Sequence, residues 1–160
     1  MKVKEVMSKN VISLTPMLTV GEATRIFAEH NISGAPVIDE NDCVIGILSE
    51  ADILKLLRLK YKQMSIVFPA VHLLGVGFRD DVKYGELKKA FDEVSSTLVR
   101  DVMRTNVITA SPEDEVEEIA PIMVKMNINR IPIVENKKLV GIVARGDVIR
   151  GIFSKKANPI

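Results

Sequence analysis

Apolar and polar positions along the chain change period in the same order twice. A short β-branched stretch, Asn10 to Leu14, runs into Thr15-Pro16, and a second, Asn106 to Ala110, runs into Ser111-Pro112. Proline cannot continue a central strand, so each stretch reads as a brief β segment. Helical spacing follows, with Val20, Ala23, Ile26 and Phe27 on one face in the first case and Val116, Ile119, Ile122 and Met123 in the second. Thr19 to Glu22 and Asp114 to Glu117 stand ahead of these faces as capping boxes, in which side chains at the first and fourth positions satisfy each other's backbone N–H. Pro121 falls inside the second pattern, where a kink or a shifted helix start is expected. Each helix is succeeded by two apolar runs parted by turn residues: Pro36 to Asp39 and Val44 to Leu48, then Pro132 to Glu135 and Leu139 to Val143. These are hairpins. A closing helix is expected from Glu50 to Lys60 and again from Gly146 to Phe153.

The recurrence is a duplication. Between Val3 and Asp52 and their counterparts at an offset of 96, then 95, there are 16 identities in 49 pairings, where chance gives roughly three. The fold class expected is α/β, two β-α-β-β-α repeats packed about a pseudo-twofold axis, spanning 1–60 and 98–155. Copies this short are expected to share a core. Residues 61–97 have no partner in the repeat. Their second half, Tyr84 to Ser96, sets Leu87, Ala90, Phe91 and Val94 on one side, as in an amphipathic helix. The first half is apolar but irregular. It reads either as connector packed on the core or, from Ile66 to Phe78, as a surface for self-association or a partner.

Composition removes several function classes. Twenty-two basic and 21 acidic residues leave a formal charge of +1, which offers no electrostatic footprint for duplex nucleic acid or an anionic membrane. One cysteine, Cys43, allows neither an internal disulfide nor a Cys-based zinc cluster. The apolar run Ser65 to Phe78 is interrupted by Pro69, His72, Gly75 and Gly77 and is too short to span a bilayer. The opening Met-Lys-Val-Lys-Glu-Val-Met-Ser-Lys lacks an apolar signal core, so a cytoplasmic protein is expected.

Candidate chemistry concentrates in Gly46-Ile-Leu-Ser-Glu-Ala-Asp52 and Gly141-Ile-Val-Ala-Arg-Gly-Asp147. Each closes a strand and opens a helix, where unpaired N–H groups favour an anion such as phosphate. Ser49 would add a hydroxyl donor, and Asp52 could accept from the two hydroxyls of a ribose. The same two residues could equally form an ordinary reciprocal helix cap. In the second copy Ala144 has lost the hydroxyl while Asp147 remains. His30 and His72 have no second ligand at metal spacing, Cys43 has no neighbouring base, and Gly75-Val-Gly-Phe78 lacks the third glycine of a dinucleotide loop. Neither a catalytic residue nor a metal site is expected.

The paired Val-x-x-Val-Met openings, the segments His30-Asn-Ile-Ser-Gly-Ala-Pro-Val-Ile and Met126-Asn-Ile-Asn-Arg-Ile-Pro-Ile-Val, and the two Gly-to-Asp endings together resemble a tandem of cystathionine β-synthase (CBS) domains, a Bateman module. The resemblance covers nearly all of both repeats. It implies two three-stranded sheets face to face, with two clefts that in many relatives hold AMP, ADP, ATP or S-adenosylmethionine as regulatory ligands, without an obligatory cofactor. By the family pattern one cleft would use Ser49 and Asp52 with Val107 to Thr109, Asn129, Arg130 and Ile131. The other would use Arg145 and Asp147 with Val11 to Ser13, Ile32, Ser33 and Gly34. The aspartates would hold ribose, and Ser49 and Arg130 phosphate. Ala144 departs from the pattern, so the clefts are expected to be unequal unless Arg145 or Arg130 supplies the missing donor. The family further implies a non-enzymatic regulator of another protein and a homodimer formed through helices. The rival readings are a ligand-free interaction scaffold, a nucleic-acid-binding regulator and an enzyme with an aspartate base.

Overall fold

The computed structural model describes residues 1–67 and 79–156. Along the chain come a 3₁₀ turn (Val3–Glu5), α1 (Val20–His30), β1 (Gly34–Ile38), β2 (Val44–Ser49), α2 (Glu50–Val67), α3 (Arg79–Ser96), the single turn α4 (Val99–Val102), α5 (Val116–Lys125), β3 (Arg130–Glu135), β4 (Lys138–Ala144) and α6 (Arg145–Lys156). The protein is α/β, with β1 beside β2 in one small sheet and β3 beside β4 in another. The segment Ile66 to Phe78, read as a possible interaction surface, lies largely outside the described residues.

Local chemistry accounts for most element ends. Thr19 and Glu22 form the expected box ahead of α1, with Glu22 N donating to Thr19 Oγ1 at 3.1 Å and Thr19 N to Glu22 Oε2 at 2.8 Å. The box expected at Asp114 and Glu117 does not form. Asp114 instead accepts from Ser111 N at 2.8 Å in the preceding turn, and α5 starts one residue later than that box would place it, at the position equivalent to the start of α1, from Glu115 without a side-chain cap. The helix runs through Pro121, whose missing N–H removes one internal bond. Asn31 and Asn127 follow their helices with φ of 51° each, a left-handed conformation that asparagine tolerates. Ile32 N and Ile128 N then reach back to Phe27 O and Met123 O, both at 3.0 Å, closing each helix alike.

The hairpins differ at the deleted residue. Asn136 and Lys137, with φ of 50° and 67°, make a two-residue connection between β3 and β4. In the first copy the longer loop is held by Asp39 Oδ1, which accepts from Asn41 N at 2.9 Å and Cys43 N at 3.0 Å. The strands expected at Asn10 to Leu14 and Asn106 to Ala110 shrink to single parallel bridges, Leu14 to Val37 and Ala110 to Ile133. The prolines two residues on end the extended chain before a ladder can grow.

The chain forms two compact units that cut across the repeats. Unit 1 comprises Met1–Ser13, Ile38–Gly46 and Thr105–Ile160; unit 2 comprises Leu14–Val37 and Ile47–Arg104. Within unit 1 the opening of the first copy docks on the body of the second: Val3 N donates to Asp114 O at 2.9 Å, Lys4 N to Pro112 O at 3.0 Å, and Val116 N to Met1 O at 2.8 Å. Unit 2 repeats the pattern in reverse, with Val99 N to Leu18 O at 2.8 Å, Arg100 N to Pro16 O at 3.0 Å, and Val20 N to Thr97 O at 2.8 Å. Each first-helix N-terminus thus has its leading amide satisfied by the other copy's opener. Val3 accordingly sits in the core of unit 1 with Ala110, Val116, Ile119, Met123, Ile131, Ile133, Val143 and Val148. Val99 is equally buried in unit 2.

Charge follows the same route. In unit 1 Lys2 Nζ and the Met1 α-amino group each lie 2.7 Å from the Glu115 carboxylate. Lys2 first, then the amine, holds that carboxyl down from its ordinary 4.5 to about 2. In unit 2, α3 packs against α1 and α2. It buries Ala90 and Val94, but Leu87 and Phe91, expected on the same face, are 44% and 60% exposed. The covered stripe is narrower than the apolar one.

Candidate functional site

Ser49 ends β2 and Glu50 begins α2 with no residue between, so the chain turns directly from strand to helix. Glu50 N donates to Ser33 O at 2.9 Å. Asp52 folds back on the strand end: its Oδ2 accepts from Ser49 N at 2.9 Å and from Ser49 Oγ at 2.8 Å. The reciprocal cap is therefore formed. The single hydroxyl hydrogen of Ser49 is directed at Asp52, as the helix-cap reading of these two residues expects. The other carboxylate oxygen, Oδ1, lies 3.3 Å from Arg104 Nε, with the Asp52 side chain 11% exposed and Arg104 47%.

Unit 1 carries the same construction at an offset of 95. Arg145 N donates to Asn129 O at 3.0 Å, and Asp147 Oδ2 accepts from Ala144 N at 2.8 Å. Loss of the serine hydroxyl has left the carboxylate where its counterpart stands, because the backbone donor is enough to hold it. Its Oδ1 pairs with Arg150 on the next turn of α6, an arginine 73% exposed. Each aspartate thus spends one oxygen on its strand end and turns the other toward an exposed arginine, a partner that can leave without stranding a buried charge. Asp147 also lines an open hollow of about 550 Å³ with Met1, Glu5, Val6, Arg150, Gly151 and Ser154.

Other predicted residues fall as follows. Arg130 is the register partner of Ala144, and Ile131 that of Val143. Asn129, Arg130 and Ile131 therefore meet the Ala144 to Asp147 turn within unit 1, which also holds Val11, Ser13, Val107 and Thr109. Ile32, Ser33 and Gly34 belong to unit 2 with Ser49 and Asp52. Arg145, one of the two arginines considered with Arg130 as a substitute for the lost hydroxyl, is engaged elsewhere: Nε donates to Ile128 O at 2.9 Å, and Nη2 lies 3.3 Å from Met123 O and Asn127 Oδ1. It braces the connection after α5 through Ile128 O and adds a second donor to Met123 O, which already accepts from Ile128 N. Arg104 and Arg150 are the residues that sequence reasoning missed. The spacing of three from Asp147 was a signal for Arg150; Arg104 had none, since its counterpart in the first copy is Ser8. Among the described residues no His, Cys, Asp and Glu group could hold a metal, and no helix is long and apolar enough to cross a membrane.

Comparison with known proteins decides the family. The CBS domain model matches residues 3–59 and 99–154. The chain belongs to the CBS domain family. This CBS pair is 32% identical over 155 residues to MJ1426 of Methanocaldococcus jannaschii, covering 96% of this chain and 92% of that protein. It is 30% identical over 144 residues to the chloroplastic CBSX1 of Arabidopsis thaliana, covering 88% of this chain but 58% of CBSX1. Among solved structures, the CBS domain pair of protein MJ0100, in complex with 5′-methylthioadenosine and S-adenosyl-L-methionine, matches with a TM-score of 0.67 at 26% identity, over 97% of this chain and 98% of that one.

Proposed function

We propose that this CBS pair is a non-enzymatic regulatory module that binds an adenosine-containing small molecule, AMP, ADP, ATP or S-adenosylmethionine, and passes its occupancy to a partner protein. The observation that carries the reading is the doubled aspartate at a strand-to-helix turn. Each carboxylate is held by its strand-end amide, at 2.9 and 2.8 Å, and keeps its second oxygen on an exchangeable arginine. A pair of ribose hydroxyls donating to such an oxygen makes a charge-assisted contact worth about 1.5–3 kcal/mol. The adenosine ligands of the MJ0100 pair support the choice of ligand class. Remaining contacts are assigned to the family's residue sets, Val107, Thr109, Asn129, Arg130 and Ile131 for one site and Val11, Ser13, Ile32, Ser33 and Gly34 for the other. Signalling follows from differential affinity: a ligand shifts the module only by the amount it favours one arrangement over another.

A second reading, a ligand-free scaffold, rests on the fact that both carboxylates already have partners. A thermal-shift series separates the two. Heating the protein with AMP, ADP, ATP, S-adenosylmethionine and GTP, beside Asp52→Ala and Asp147→Ala, is expected to raise the unfolding temperature with an adenosine ligand and to lose that rise in an aspartate variant. No rise with any of them establishes the scaffold.

A further inference from the structure

The Asp52 turn draws its arginine from a position that its counterpart fills with Ser8. Arg104 is fixed at the backbone, exchanging two hydrogen bonds of 2.9 Å with Ile47, the strand residue two before Ser49. In unit 1 the equivalent ladder joins Ser8 to Ile142, at 2.9 and 3.0 Å, and Ser8 brings no charge to Asp147. Asp52 Oδ2 is already filled by Ser49 N and Oγ, so Oδ1 is the oxygen left for a ligand hydroxyl, and Arg104 Nε lies 3.3 Å from it.

We infer that Arg104 reads ligand charge at the Asp52 turn, admitting anionic adenosine ligands in preference to neutral or cationic ones. This inference rests on the adenosine-binding reading given above. A ribose that takes Oδ1 displaces the guanidinium, whose side chain swings from a fixed Cα. Released, it needs a new anion. A phosphorylated ligand supplies one and restores the lost pair; an uncharged nucleoside does not; a sulfonium adds a like charge close by. Because the Ser49 hydroxyl is held by Asp52, Arg104 is the cation that replaces it as the phosphate contact. At the Asp147 turn the arginine is Arg150, on the next turn of α6 rather than on a strand-paired segment, and the charge preference is assigned to the Asp52 site.

The experiment is a calorimetric titration of AMP, adenosine and S-adenosylmethionine into the wild type, Asp147→Asn, Asp147→Asn/Arg104→Gln and Asp147→Asn/Arg104→Lys. In the Asp147→Asn background AMP is expected to bind roughly tenfold more tightly than adenosine, with S-adenosylmethionine weakest. Arg104→Gln should collapse that ratio to about two or less by weakening AMP and strengthening adenosine, and Arg104→Lys should restore part of it. A merely structural role would move all three ligands together. An unchanged ratio in the Arg104→Gln variant overturns the inference and leaves the adenosine reading standing, as does wild-type binding that Asp147→Asn abolishes for every ligand. Absence of binding in the wild type removes both.

Discussion

Replacing Val3 by alanine tests whether the first copy's opener truly belongs to the second copy's core. Val3 is fully buried among Val116, Ile119, Met123 and their neighbours. The substitution deletes two methyl groups, a transfer loss of about 1.6 kcal/mol at about 0.8 kcal/mol each, and the cavity left behind brings the cost to about 2–3 kcal/mol. For a chain of this size that lowers the unfolding temperature by about 4–12 °C. Location matters more than magnitude. The opener holds the first amide of α5 through Val116 N to Met1 O at 2.8 Å, whereas the corresponding bond of α1, Val20 N to Thr97 O, is made by the opener that contains Val99. Hydrogen exchange read by mass spectrometry should therefore show amides of 116–125 losing about 30- to 150-fold of their protection in Val3→Ala, while 20–30 keep theirs. Val99→Ala should do the opposite. If Val3→Ala instead loosens α1, or loosens both helices equally, the exchanged openers are wrong.

Three further outcomes follow from single features. Thr19→Ala removes the α1 box and should cost about 1 kcal/mol in a denaturant melt, while Asp114→Ala, whose box is absent, acts only through its turn. Lys137 occupies a left-handed position in the β3–β4 connection; Lys137→Gly converts it to the favoured Asn-Gly pair and should raise stability by about 0.5–1 kcal/mol, seen as a higher unfolding temperature. Glu115, with its carboxyl lowered from 4.5 to about 2 by Lys2 and the terminal amine, stabilises the fold fully above 4.5 and loses that contribution as the pH falls toward 2. Acid titration of the unfolding free energy should accordingly be steeper over that window in the wild type than in Glu115→Gln, and equal slopes would exclude the link.

Much of this was legible in residues, and what was not has a physical cause. Periodicity marked both first helices and both hairpins, because burial of Val20, Ala23 and Phe27, or Val116, Ile119 and Met123, requires one apolar face. Capping residues marked α1 but misled at Asp114, since aspartate serves a turn as readily as a helix end. The exchange of openers was invisible: it is made by backbone hydrogen bonds, and a repeat alignment places Val3 with its own copy. The placement of Asp52 and Asp147 at strand-to-helix turns was legible from spacing, yet their ion pairs were not. Arg104 reaches Asp52 from 52 residues along the chain, and no local pattern reports that proximity.

The aspartate turns are the heart of the functional reading, and equilibrium binding tests them most directly. Calorimetric titration of wild type, Asp52→Asn and Asp147→Asn with AMP and with S-adenosylmethionine should show saturable binding of at least one ligand, weakened by about tenfold or more in at least one variant and unequally between the two. Binding that ignores both substitutions, or no heat from either ligand at millimolar concentration, would contradict it.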